Sequence, residues 1–204
     1  MLKFIKNINS DSAYGLWKIT ESYEILATGF GSDELDTISA FHPNKQLEYL
    51  ATRHLLKALT NHFDITYSGV YKDEFGKPFL NDSNCHISVS HANKNVVCLI
   101  NRNQACGIDI EKPRAQIERI KHKFLSGKEL KIAGNDVNKM CLFWSAKEAL
   151  YKLYGRKGLL FIENIQVELG SVNTINGRIV LDGKISNYQL IWEEVEEYYV
   201  VYTN

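Results

Sequence analysis

The chain has 204 residues, 45% of them hydrophobic, which fits one sizeable domain or two small ones sharing a core. Lys plus Arg and Asp plus Glu number 24 each, which excludes a generally basic nucleic-acid or membrane surface, so any anion site must be local. The four cysteines (Cys85, Cys98, Cys106, Cys141) form no C-x-x-C pair and have no His at zinc-ligand spacing, and no apolar run reaches signal-peptide or membrane-span length; a soluble cytoplasmic chain with free thiols is expected.

Residues 13–30 alternate loosely and predict one or two strands, and "SDELDTISAF" (32–41) opens with helix-start residues. "PNKQLEYLATRHLLKALTNHF" (43–63) predicts a long helix, with Pro43 in its first turn and Leu47, Leu50, Leu55, Ala58 and Leu59 on one face. Strand-like runs follow at 65–71, 86–90, 95–103 and 106–111. The turn "DEFGKPF" (73–79) interrupts them, and "HANKN" (91–95) reads as a hairpin loop. "AQIERIKHKF" (115–124) reads as helical, and "SGKE" (126–129) as a capping box. A second long helix is predicted over 135–155, with Asn135 as N-cap and Gly155 as its stop. Strands at 163–169, 177–181, 187–194 and 197–203 close the chain. Each half is thus a long helix followed by antiparallel strands with a hairpin. The expected class is α+β, with two similar, pseudo-two-fold related lobes and a ligand between them.

The chemistry begins at "GIDIEKPR" (107–114). Asp109 and Glu111 alternate with Ile108 and Ile110, so a strand that buries its isoleucines presents both carboxylates on its other face. Such a like-charge pair is relieved by a cation, and Mg²⁺ takes one or two carboxylates while leaving room for phosphates. Alone, the pattern is more often a polar strand face. In "WSAKEALYK" (144–152), Trp144, Glu148 and Lys152 fall four residues apart on one helical side and offer a third carboxylate. The bland reading is a surface Glu–Lys pair. Candidate anion contacts are Lys77 on the "FGKP" turn, Ser90 and His91 at the end of "SVSHA", and Arg53 beside the apolar stripe of the first long helix, with Lys45 on roughly the same side. The chain has no P-loop, no G-x-G-x-x-G and no G-x-S-x-G elbow, so scattered cations and a metal would have to hold any nucleotide.

Taken together, "FGKP … SVSHA … GIDIE … FWSAKEALYK" resembles the 4'-phosphopantetheinyl transferases, specifically the longer, two-lobed, monomeric surfactin-synthetase-activating kind. The resemblance runs from about Pro43 to about Leu160 and is carried by "GIDIE" and "WSAKEALYK". It implies transfer of the phosphopantetheine arm of coenzyme A to a serine of an acyl or peptidyl carrier protein, with release of adenosine 3',5'-bisphosphate. Such enzymes serve fatty-acid, polyketide or peptide synthesis. Carried over, Asp109, Glu111 and Glu148 would hold Mg²⁺, or Mn²⁺. Glu148, or a water it orients, would take the serine proton, and Lys152 would contact the leaving phosphate. Lys77, Ser90 and His91 would hold the CoA phosphates, and Arg53 and Lys45 the 3'-phosphate end. The implied division is a CoA-binding lobe over 1–104 and a metal-binding, catalytic lobe over 105–204. Ser88 and the longer "GRKGLL" (155–160) depart from the family pattern. "RIKHKF" (119–124) is a candidate carrier-facing surface, with a solvated basic face as the plain alternative. Two other functions fit the same residues: a Mg²⁺-dependent hydrolase of CoA-like pyrophosphates, and a non-catalytic CoA- or carrier-binding module.

Overall fold

A computed structural model describes residues 1–204. Strands β1 (Leu2–Asn7) and β2 (Ser12–Lys18) open the chain, followed by short helices α1 (Tyr23–Leu26) and α2 (Ser32–Ser39) and the long α3 (Pro43–His62). Then come β3 (Val70–Lys72), β4 (Pro78–Leu80), β5 (His86–Ala92), β6 (Asn95–Asn101) and β7 (Ile108–Glu111). Two 3-10 turns, Ala115–Arg119 and Lys121–Lys123, lead into α4 (Gly127–Ala133) and α5 (Val137–Tyr154). The chain ends in β8 (Ile165–Leu169), β9 (Thr174–Leu181), β10 (Lys184–Val195) and β11 (Tyr198–Thr203). No helix is long and apolar enough to cross a membrane.

The strands form two antiparallel sheets, ordered β1-β2-β6-β5-β4-β3 and β7-β11-β10-β9-β8. Setting β1 aside, both have the same connectivity: one strand, a long helix, then four strands, of which the last pairs with the first. The hairpin echo in the sequence therefore reflects a shared topology.

Period-2 alternation divides each sheet between two cores. In the first sheet Ala13, Val96, Cys98 and Ile100 face α3, whose Leu50, Leu55, Leu56 and Leu59 fill that core. Fully burying one such leucine contributes about 1.5–3 kcal/mol. In the second sheet Ile165, Val167, Ile175, Leu190 and Val201 pack with α5, ten of whose 18 residues are buried. The remaining faces meet each other. Tyr14, Leu16, Val97 and Leu99 pack on Ile108, Ile110, Tyr198 and Val200 in a third core between the sheets. "KPR", which had no role in the sequence reading, helps close this seam. Lys112 pairs with Glu197 at 2.6 Å, and Arg114 donates to Asn93 Oδ1 at 2.7 Å, while Asn93 donates to Tyr198 Oη.

Several local expectations need correction. The N-cap of α5 is Asp136, not Asn135, and its carboxylate accepts from Asn138 N and Lys139 N. Residues 65–69 do not form a strand, because only Val70–Lys72 finds a partner, in β4. The 115–124 segment forms 3-10 turns; Ile117 and Ile120, three apart, share the face such a helix buries, and both pack against the second core. Within 13–30 the second element is helix α1, not a strand. The capping box at Ser126 and Glu129 and the left-handed stop at Gly155 (φ 70°) are present.

Gly107 explains why the signature strand opens on glycine. A Cβ there would lie 1.9 Å from the Ala149 carbonyl oxygen of α5. Gly107→Ala is expected to push β7 off the helix and destabilise by about 1–3 kcal/mol or more. Urea unfolding checks this; wild-type stability would mean the close approach relaxes freely.

Candidate active site

β7 is an edge strand paired only with β11. Its isoleucines belong to the inter-sheet core, so Asp109 and Glu111 point the other way, toward α5. The four-residue spacing along α5 brings Trp144, Glu148 and Lys152 to meet them. Trp144 Nε1 donates to Glu111 Oε1 at 3.3 Å. Lys152 Nζ donates to Asp109 Oδ1 at 2.7 Å, Ser90 Oγ at 2.8 Å and the Ile108 carbonyl at 3.2 Å, so all three ammonium hydrogens have protein partners. Ser90 Oγ also donates to Asp109 Oδ1, at 2.8 Å. Asp109 Oδ2 is buried with no partner.

Asp109 pairs with Lys152 here, and Glu148 and Glu111 record the crowding in their acidities. Burial first, then the Asp109 charge, raises Glu148 to about 7, against the opposing pull of Lys152. Burial and Asp109 also push Glu111 up. Hard oxygen donors, one of them an orphaned carboxylate oxygen, suit a divalent ion. With Asp109 turned to Lys152, no three acidic or metal-ligating side chains converge tightly enough to hold an ion as they stand. The donor chemistry fits; the rotamers would have to change.

Beside this cluster lies a cleft of about 630 Å³ between α3, the β3–β4 turn, β5 and the end of α5. Lys45, Arg53, Lys72, Lys77, Lys152 and Arg156 line it, against one carboxylate, Glu48. The basic charge absent from the chain as a whole is thus concentrated here. Lys45 pairs with Glu48 at 2.6 Å. Arg53 stacks on Tyr49 with its guanidinium carbon 4.3 Å from the ring centroid, donates to the Tyr49 hydroxyl at 3.0 Å, and faces Glu34 at 3.5 Å. Lys77 reaches across to donate to the Leu153 carbonyl at 2.9 Å, capping the C-terminus of α5. Its chain lies over Gly155, where a Cβ would come within 2.3 Å of Lys77 Cδ. His91 meets the Thr52 hydroxyl at 3.1 Å. Desolvation by the cleft wall pushes its imidazole down to about 4; Glu48 opposes the shift, while Lys45, Lys152 and Lys72 add to it.

Of the sequence-derived candidates, Asp109, Glu111, Glu148, Lys152 and Ser90 come together at the β7–α5 contact, and Lys45, Arg53, Lys77 and His91 line the cleft. Ser90 does not line it; its hydroxyl is directed to Asp109 and Lys152. Ser88, the departure from the family pattern, accepts from Ile108 N at 3.0 Å and ties β5 to β7. Sequence reasoning missed Lys72, Arg156, Tyr49 and Thr52. Arg156 follows the predicted stop Gly155 directly, which was a usable signal. Lys72 had none, because its strand is three residues long.

Residues 105–203 match the family model of the 4'-phosphopantetheinyl transferase superfamily. The 4'-phosphopantetheinyl transferase HetI of Nostoc sp. (strain PCC 7120 / SAG 25.82 / UTEX 2576) is 27% identical over 174 residues, covering 76% of this chain and 73% of that protein. The 4'-phosphopantetheinyl transferase gsp of Aneurinibacillus migulanus is 29% identical over 109 residues, covering 51% of this chain and 45% of that protein.

Proposed function

We propose, from the membership of residues 105–203 in the 4'-phosphopantetheinyl transferase superfamily, that the chain moves the 4'-phosphopantetheine group of coenzyme A onto a serine of a carrier protein. The observation that carries this reading is the pairing of a carboxylate–lysine cluster with a cation-lined cleft that spans both halves. In this reading residues 1–104 contribute most CoA phosphate contacts, and residues 105–204 the reacting groups. The chain acts in the cytoplasm as a monomer.

In the transfer, the serine oxygen forms a bond to phosphorus as the bridging pyrophosphate bond breaks, and adenosine 3',5'-bisphosphate leaves. Glu148, or a water it orients, accepts the serine proton; before any metal binds, burial and the Asp109 charge hold its carboxyl up at about 7. Asp109, Glu111 and Glu148 would hold Mg²⁺ or Mn²⁺, which supplies charge neutralisation at the pyrophosphate. Lys152 meets the leaving phosphate by exchanging one of its three protein partners for a phosphate oxygen. Ser90 positions Lys152 and Asp109. His91, Lys77, Arg53 and Lys45 orient the CoA phosphates along the cleft. Phosphoryl transfer relies mainly on such positioning and charge.

Incubation with CoA, Mg²⁺ and an apo-carrier tests the reading. Adenosine 3',5'-bisphosphate should appear only when the carrier is present. Release without a carrier would favour pyrophosphate hydrolysis.

A stability measurement tests the carboxylate cluster. The folded chain holds Glu148 at about 7 against an ordinary value of 4.5, so folding favours its protonated form. Its contribution to stability is full below about pH 4.5 and is lost as pH rises through about 7. Metal-free Glu148→Gln should therefore lose less Tm between pH 5 and pH 8 than wild type does. Parallel Tm curves would mean that burial and the Asp109 charge do not raise Glu148 as described.

A further inference from the structure

Four of the six Lys and Arg side chains lining the cleft already have a partner. Lys45 pairs with Glu48, Arg53 with Glu34 and Tyr49, Lys77 with the Leu153 carbonyl, and Lys152 with Asp109. An incoming anion shares Lys45, Arg53 and Lys77 with the partner each already has, and Lys152 has no N–H free. Lys72 and Arg156 make no ion pair and no hydrogen bond, and both are exposed at the cleft wall.

Their positions are related. Lys72 is the residue of β3 directly opposite Pro78 in β4, next to Lys77. The Lys77 side chain crosses to Gly155, and Arg156 is the next residue. One continuous rim thus runs from Lys72 through Pro78, Lys77 and Gly155 to Arg156. The two unpaired cations flank the lysine that fastens the halves together, one on each half. Asp73, the nearest carboxylate in sequence, accepts from Phe75 N and Lys77 N within its turn and does not line the cleft.

We propose that Lys72 and Arg156 form a two-sided capture clamp for the phosphates of coenzyme A, setting its affinity and the salt dependence of its binding. This rests on the CoA-transferase reading above. Unpaired charges at a cleft mouth draw a multiply charged ligand in from solution, and salt screens that attraction.

The test is calorimetric titration of the full chain with CoA at low and high NaCl, with carrier modification followed in parallel. Lys72→Gln and Arg156→Gln should each weaken CoA binding by about fivefold at low salt, and the double variant by about 25-fold, with a shallower salt dependence. The KM for CoA should rise in step. Lys157→Gln makes the same charge change beside Arg156 but outside the cleft, and should bind CoA as wild type does. Wild-type affinity in the double variant, or an equal loss in Lys157→Gln, would overturn the clamp. A wild-type chain that binds CoA with this dependence yet leaves carriers unmodified would retire the transferase reading and leave the clamp standing. Failure of the wild type to bind CoA would overturn both.

Discussion

Asp109→Asn is expected to slow carrier modification by about 100- to 1,000-fold, the effect typical of losing one preorganised group that stabilises charge in a transition state. Asparagine keeps the shape and loses the charge. Asp109 is only 3% exposed, and its Oδ1 receives Lys152 and Ser90 while Oδ2 has no partner. Without its charge, Lys152 loses the ion pair that holds it beside Ile108 and Ser90. Glu148 should also become more acidic, because the Asp109 charge is the second cause of its elevation, after burial. In the metal-free chain the fall of Tm with rising pH should therefore be complete at lower pH in Asp109→Asn than in wild type. Steady-state rates and Tm–pH curves check the two effects, and an unchanged rate would remove Asp109 from the reacting group.

The largest effect on stability is expected at Lys147, the residue before Glu148. The two neighbours face different partners, Lys147 the Glu129 carboxylate and Glu148 the charge of Asp109. Lys147 is fully buried and donates to the Phe161 carbonyl at 2.7 Å, the Ile165 carbonyl at 2.8 Å and Glu129 at 2.8 Å. Glu129 in turn accepts from Ser126 N at 2.7 Å and Val167 N at 3.0 Å. One ion pair thus joins α4, α5, the following loop and β8. Lys147→Met leaves the Glu129 carboxylate buried and unpaired, which typically costs about 3–5 kcal/mol. Set against a total of roughly 5–15 kcal/mol, that leaves the fold marginal. Lys147→Met/Glu129→Gln removes both charges and should recover part of the loss. Urea unfolding of the three proteins checks this. A single variant of wild-type stability, or a double variant less stable than the single, would contradict it. Of the two lysines in "WSAKEALYK", the first thus serves the architecture, while the second pairs with Asp109.

The site was more legible in the sequence than its surroundings. Alternation in "GIDIE" fixed which face carries Asp109 and Glu111, and four-residue spacing fixed that Glu148 and Lys152 share a side of α5; both follow from local periodicity. The long helices and the paired hairpins were legible for the same reason. Strand β1 was not, because its residues are largely exposed and it is defined by pairing with β2. Which cations are free was also hidden: Lys77 and Arg53 find their partners at Leu153 and Glu34, and only the tertiary fold brings those groups near.

The most direct measurement is the intact mass of an apo-carrier protein after incubation with this chain, CoA and Mg²⁺. Transfer predicts that the carrier gains the mass of one phosphopantetheine group at a serine, and that Asp109→Asn loses nearly all of this gain. Carriers of several synthase types that stay unmodified while CoA is cleaved would contradict it.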